Sequence, residues 1–191
     1  MKIVFGGAFN PVTLAHIEVY KYVMNLLNAD EFIFLPVSNA YTKSELISNY
    51  HRVRMLEIAL KDYPDTTISK LEIVDTDYLG TYQSLMRLSD QYNSEISFVI
   101  GADNLKELKN WRNLDSLLSE FKIIVLNRNN EDILNIIKND ERIAKYEKSF
   151  IILNDFNINI SSTMFRNTKK KELLDSRVYE YIIENDLFEG E

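Results

Sequence analysis

An eleven-residue run near the N-terminus, Gly6-Gly7-Ala8-Phe9-Asn10-Pro11-Val12-Thr13-Leu14-Ala15-His16, carries residue types suited to gripping a phosphate. Two adjacent glycines let the backbone approach a ligand closely, and Pro11 stiffens the turn. Thr13 and His16 stand three apart where a helix begins, so both can face one point. Backbone N–H groups and the helix dipole add positive potential there. A hydroxyl and an imidazole aimed at an anion suit stabilisation of charge in a phosphoryl transition state. The same residues also read as a plain strand-to-helix turn, with Thr13 as its N-cap and His16 a partly buried helix residue.

A second run, Ile160-Ser161-Ser162-Thr163-Met164-Phe165-Arg166, also opens a helix. Its three hydroxyls and Arg166 are donors to phosphate oxygens. Between 160 and 171 there are four basic residues and no acid, in a chain whose formal net charge is −7. An N-cap followed by a solvated basic face is the simpler account of this run taken alone.

The elements that must hold these runs alternate between strand and helix. Strand patterns cover Lys2–Phe5, Glu31–Val37, Thr66–Val74, Ile96–Ile100, Lys122–Leu126 and Phe150–Leu153. Helical spacing recurs after His16 (Ile17, Tyr20, Met24, Leu27), and over Asn49–Tyr63, Tyr82–Tyr92 and Glu131–Tyr146. Two C-terminal helices are predicted over Ser162–Lys171 and Arg177–Glu184. Such alternation implies parallel βαβ units: an α/β, doubly wound, mainly parallel sheet with helices on both faces and a helical C-terminal segment. No linker or repeat divides residues 1–191, which read as one domain. Ligands of such sheets bind beyond the carboxyl ends of the strands.

Composition removes several chemistries. The 191 residues include no cysteine, two histidines and five glycines. Thiol nucleophiles, iron–sulfur clusters and multi-histidine metal sites are out, and no protein-held metal is expected. Neither G-x-x-x-x-G-K-[ST] nor G-x-G-x-x-G occurs. With Lys+Arg 22 against Asp+Glu 29, the chain lacks the basic footprint of a nucleic-acid binder. No apolar run approaches the roughly 18 residues of a membrane span, so a cytoplasmic protein is expected. A homo-oligomer is compatible with the sequence.

The first run resembles the G-G-x-F-[DN]-P-x-[HT]-x-G-H signature of the nucleotidylyltransferase superfamily, and the second resembles its I-S-S-T-x-x-R partner. Within that Rossmann-like superfamily the chain is similar to bacterial nicotinate-nucleotide adenylyltransferases over nearly its whole length. Gly101-Ala102-Asp103-Asn104-Leu105 with Trp111, Thr81-Tyr82 with Leu85, and Arg52 with Met55-Leu56 carry that similarity. The chain has Thr13 where the family usually has histidine, Ala15 where glycine is frequent, and only Lys43 of a P-P-H-K element.

The resemblance implies adenylyl transfer from MgATP to nicotinate mononucleotide, giving deamido-NAD and pyrophosphate. It implies that Gly6, Gly7 and Phe9 line the adenosine and α-phosphate site, with Asp103 near the ribose. His16, with Thr13, would stabilise the transition state, and Ser161, Ser162, Thr163 and Arg166 would hold the outer phosphates. Thr81, Tyr82 and Trp111 would form the nicotinate pocket, with Lys43 and Arg52 near phosphates. Trp111 also reads as a core anchor, and Tyr82 as one of eleven tyrosines with other places to sit. Nicotinamide mononucleotide or phosphopantetheine as acceptor, or a nucleotide sensor without turnover, are the alternatives.

Overall fold

A computed structural model describes residues 1–41, 46–127, 131–156 and 158–189. Six strands form one sheet: β1 (Lys2–Gly7), β2 (Glu31–Pro36), β3 (Thr66–Ile68), β4 (Ile96–Gly101), β5 (Lys122–Leu126) and β6 (Phe150–Leu153). Their spatial order is β3-β2-β1-β4-β5-β6, with every pairing parallel. The strands are near-continuous apolar runs because both faces are covered.

Alternate residues of each strand enter different cores, as the period of two requires. Ile3, Phe32, Phe34, Val99 and Ile124 face one side, with α1 (Leu14–Leu27), α2 (Asn49–Ala59) and, later in the chain, α9 (Ser176–Glu184). Val4, Ile33, Leu35, Phe98, Ile100 and Ile123 face the other. That side packs against α3 (Thr81–Tyr92), α4 (Ala102–Glu107), α5 (Leu114–Glu120), α6 (Ile133–Lys138) and α7 (Glu141–Ala144). A short helix, α8 (Ser162–Thr168), precedes α9. In a chain so poor in glycine, asparagine takes the left-handed position after two of the described helices. Asn28 after α1 and Asn93 after α3 are left-handed, with φ of 47° and 46°.

The α/β expectation holds, with local differences. The strand expected over Thr66–Val74 stops at Ile68, because Ser69 Oγ accepts from the Leu71 N–H and turns the chain out of the sheet. The helix expected over Glu131–Tyr146 is two, since Asp140 caps a fresh start by accepting from the Arg142 N–H. The helix expected to reach Lys171 ends at Thr168, where Lys169 is left-handed at φ 53°. Helices α4 and α5, which the periodicity left unassigned, sit on Leu105, Leu114, Leu117 and Leu118.

The chain leaves β1 toward β2 and β3, then crosses through α3 to β4 and proceeds outward to β6. Strand order therefore reverses between β1 and β4. A crevice at the carboxyl ends of these two strands is where this topology places ligands.

Candidate active site

The turn after β1 is built tightly. Phe9 is left-handed at φ 47°, Asn10–Pro11 is cis, and Phe9 is 1% exposed. The Phe9 ring lies 5.7 Å from Phe5, 5.6 Å from Phe34 and 5.1 Å from the His16 imidazole. Gly7 accommodates it, since a Cβ there would lie 3.2 Å from the Phe9 ring. Phe9 is thus a core wedge that shapes the turn and backs His16.

Thr13 caps α1 in an extended conformation. Its backbone N–H donates to His16 Nδ1 at 2.8 Å, and its hydroxyl lies 2.9 Å from the same nitrogen. A nitrogen that accepts from an amide carries no proton, so this contact assigns the imidazole proton to Nε2. The capping-box position of His16 therefore makes Nε2–H the ring's donor.

The second run docks onto this turn. Ser162 Oγ donates to the Pro11 carbonyl at 2.8 Å, and Arg166 Nη1 donates to the Asn10 carbonyl at 2.7 Å. Arg166 Nη2 also reaches Thr163 Oγ1 at 3.2 Å, and Ser161 Oγ accepts from the Met164 N–H. Asn10, almost fully buried, accepts from the Ile47 N–H through Oδ1. Two segments about 150 residues apart thereby share one surface of hydroxyls, amides and a guanidinium.

Beside it, a cavity of about 250 Å³ opens at the β1/β4 reversal. Gly6 and Gly7 form part of its floor, where a Cβ on Gly6 would lie 3.1 Å from the Phe98 ring. Thr81, Asn104 and Trp111 stand around it, with Trp111 edge-on to Phe98 at 6.2 Å between centroids. Gly80, at φ 96°, lets the chain turn into α3 and present Thr81. Glu72 and Tyr78 complete the wall. A larger depression of about 630 Å³ near Met1, Glu95 and Lys122 lies at the other end of the sheet, away from all of these groups.

A cytidylyltransferase-like family model matches residues 4–168. A protein of Acholeplasma laidlawii named "probable nicotinate-nucleotide adenylyltransferase" is 33% identical over 196 residues, covering 99% of this chain and 98% of the relative. One of the same name from Clostridium acetobutylicum is 32% identical, covering 98% of each.

The chain belongs to the nicotinate-nucleotide adenylyltransferase family.

Its fold is that of the Plasmodium falciparum nicotinic acid mononucleotide adenylyltransferase complexed with APC, with a TM-score of 0.77 at 20% identity, covering 100% of this chain and 98% of that one. The same enzyme complexed with NaAD matches equally well, with a TM-score of 0.77 at 21% identity.

Several residues expected from the resemblance to this family come together. Gly6, Gly7, Thr13, His16, Ser162, Thr163 and Arg166 surround the turn, and Thr81 and Trp111 line the adjoining cavity. Ser161 sits at the start of α8. Asp103 is exposed at the start of α4, and a Cβ on Gly101 would collide with its Oδ1. That glycine gives the carboxylate its place.

Three expected residues stand elsewhere. Tyr82 does not line the cavity: its hydroxyl donates to Glu120 Oε1 at 2.9 Å and its ring lies 6.2 Å from Phe121, because the next helix position turns it away from Thr81. Phe9 is in the core rather than on a ligand-facing surface. Arg52 is wholly buried and donates to the carbonyls of Ala8 (2.6 Å) and Val37 (2.5 Å) and to Oδ1 of Asn39 and Asn49. None of these acceptors is a carboxylate, and Arg52 Nε has no hydrogen-bond partner among the described residues. Burial alone lowers the Arg52 pKa to about 10. Its position braces the β1 turn against the β2 exit instead of meeting a phosphate. Lys43 lies outside the described residues.

Glu72, Tyr78 and Phe98 were not singled out by the sequence. Glu72 sits between Leu71 and Ile73, where strand alternation would turn it to solvent. The turn at Ser69 instead carries it inward, to 5% exposure. Burial raises its carboxyl above the usual range, although the Ser84 hydroxyl donates to it at 2.6 Å.

Proposed function

We propose that this chain, as one nucleotidylyltransferase domain over residues 1–191, transfers the adenylyl group of MgATP to nicotinate mononucleotide, giving deamido-NAD and pyrophosphate. The observation that carries the reading is the docking of Arg166 and Ser162 onto the turn that ends at His16, beside a cavity walled by Thr81 and Trp111. Membership of a family whose members bear this activity in their names supports the same reading.

In this reading the acceptor's phosphate oxygen attacks the α-phosphorus in line, and the bond from that phosphorus to pyrophosphate breaks. No covalent enzyme intermediate is formed. His16 Nε2–H and the amides at the start of α1 face the charge that develops on the α-phosphate. Arg166, Ser161, Ser162 and Thr163 hold the outer phosphates, Gly6 and Gly7 admit the nucleotide, and Asp103 meets the ribose. Trp111 stacks on the pyridine ring, and Thr81 at the start of α3 meets its carboxylate. Arg52 and Phe9 position the turn.

Among the described residues no three or more His, Cys, Asp or Glu gather where a metal could be held. Mg²⁺ enters as part of the substrate, carried by ATP phosphates and water, where it offsets phosphate charge. Among the described residues no helix is long and apolar enough to cross a membrane, and the net charge is −7. The acidic balance suits an enzyme of small molecules, and a cytoplasmic location is part of the proposal.

The test offers MgATP with nicotinate mononucleotide, nicotinamide mononucleotide and phosphopantetheine in turn, and measures pyrophosphate. Release fastest with nicotinate mononucleotide is expected. Preference for either other acceptor would reassign the substrate. Tight ATP binding with no release for any acceptor would make the chain a nucleotide sensor.

A further inference from the structure

The cavity that holds Thr81 and Trp111 also holds a carboxyl group that the proposed chemistry does not use. Glu72 is 5% exposed and lines that cavity. Its Oε1 accepts from Ser84 Oγ on α3 at 2.6 Å, which fixes the group from below. The cavity is about 250 Å³, too small to keep an acidic ring substituent far from this carboxyl. Nicotinate carries a carboxylate on its ring, and nicotinamide carries a carboxamide with two N–H donors. A wall carboxyl meets these two substituents differently according to whether it bears a proton.

We propose that Glu72 is a specificity-determining residue that reads the pyridine substituent, donating as a neutral carboxyl to nicotinate and accepting as a carboxylate from nicotinamide. The inference rests on the acceptor reading above. Binding of nicotinate mononucleotide then draws one proton from solvent onto Glu72 whenever that group is ionised beforehand, and binding of nicotinamide mononucleotide draws none.

The surroundings favour such a proton. Burial is the largest influence on Glu72 and raises its carboxyl, and Asp75 pushes in the same direction. The Ser84 hydrogen bond and Arg87 oppose this, but Arg87 already forms a two-point pair with Asp75, at 2.8 Å and 3.1 Å. From the segment before α3, Tyr78 shares the cavity, and its backbone carbonyl is held by Arg112 at 2.8 Å. From α4 and the segment that follows it, Asn104 and Trp111 face the cavity without charge, and the described residues of the sheet and the β2 exit that line it are uncharged as well.

Dissociation constants of both mononucleotides from about pH 7 to 9 test this, since their common phosphate monoester has already lost its second proton there. For the wild-type chain the nicotinate mononucleotide constant is expected to rise toward tenfold per pH unit, and the nicotinamide mononucleotide constant to stay level. Glu72→Gln keeps an acceptor for Ser84 and a permanent donor, so its nicotinate mononucleotide constant should not change with pH. Parallel profiles in the two proteins overturn the proposal. Calorimetry of the wild-type chain in two buffers of different ionisation enthalpy needs no variant: more protons taken up with nicotinate than with nicotinamide mononucleotide supports it, and equal counts overturn it. Loss of pyrophosphate release with every acceptor would instead overturn the adenylyl-transfer reading, which these binding profiles do not decide.

Discussion

Arg166 Nη1 donates to the backbone carbonyl of Asn10 at 2.7 Å, across 156 residues of chain. The guanidinium is thereby fixed against the same turn that positions His16. Arg166→Ala removes that tie and, in the proposed function, a phosphate donor. A charged hydrogen bond contributes about 1.5–3 kcal/mol, so kcat/KM for ATP should fall roughly 10- to 100-fold. Steady-state kinetics decide this, with Arg166→Lys recovering charge but not the fork. Unchanged kcat and KM for ATP in Arg166→Ala would remove Arg166 from the site.

His16 serves as helix cap and as donor, and two substitutions separate these tasks. His16→Ala should lower kcat by about 10²–10³ with a smaller change in ATP affinity. It should also cost about 0.5–2 kcal/mol of stability through the lost cap. His16→Asn can still accept from the Thr13 N–H, so its melting temperature should stay near wild type while kcat remains low. A variant with full turnover and a lost cap would reverse the assignment.

Trp111 and Tyr82 should part company in the acceptor kinetics. Trp111→Ala removes a stacking surface worth about 0.5–1.5 kcal/mol, raising KM for nicotinate mononucleotide about threefold to tenfold and leaving KM for ATP alone. Tyr82→Phe loses the hydroxyl that meets Glu120 and Ser116, away from the cavity, and should leave both constants near wild type. A large KM effect in Tyr82→Phe would mean that its hydroxyl reaches the substrate.

Arg52→Met leaves the carbonyls of Ala8 and Val37 buried without their donor. A loss of about 2–4 kcal/mol in urea unfolding is expected. Arg52→Lys should recover little, because one ammonium cannot span four acceptors in a plane. Stability equal to wild type in Arg52→Met would show that the brace contributes nothing.

Asp175 gives a pH signature remote from the site. Its hydrogen bonds to Arg177 hold its carboxyl below the usual range against the opposing effect of burial. It also caps α9 by accepting from the Arg177 N–H at 2.8 Å. A depressed carboxylate stabilises the fold above its unfolded pKa, and that contribution disappears as pH falls through the folded value. Asp175→Asn should therefore be less stable at neutral pH by about 0.5–2 kcal/mol, and the gap should close on acidification below about pH 4. A gap independent of pH would point to shape rather than charge.

Much of the site was legible because its residues lie at strand-to-helix junctions, where local chemistry announces itself. The two glycines that end β1, the cap at Thr13 and the serines that open α8 are read without any tertiary knowledge. Arg52 shows why reading stops there. Its neighbours Met55, Leu56 and Ala59, three, four and seven positions on, place it on the buried face of α2, yet an arginine reads as polar until its acceptors are known. Those acceptors come from two separate turns and from the first residue of α2 itself. Glu72 was hidden by the opposite fault: a plausible strand pattern that a serine turn interrupts. Tyr82 and Thr81 are neighbours in sequence and face different partners, because successive helical positions diverge by about 100°.

The contact of Ser162 and Arg166 with Pro11 and Asn10 gives the protein a calendar as well as a shape. Synthesis delivers the first turn almost at once and its clasp only after β6 has been made. In the proposed function, the residues that grip the triphosphate are made after every strand of the described sheet. Loss of the chain from Arg166 onward would remove this clasp together with Val178 and Ile182 of α9, so one late segment completes both the proposed substrate grip and one of the two cores.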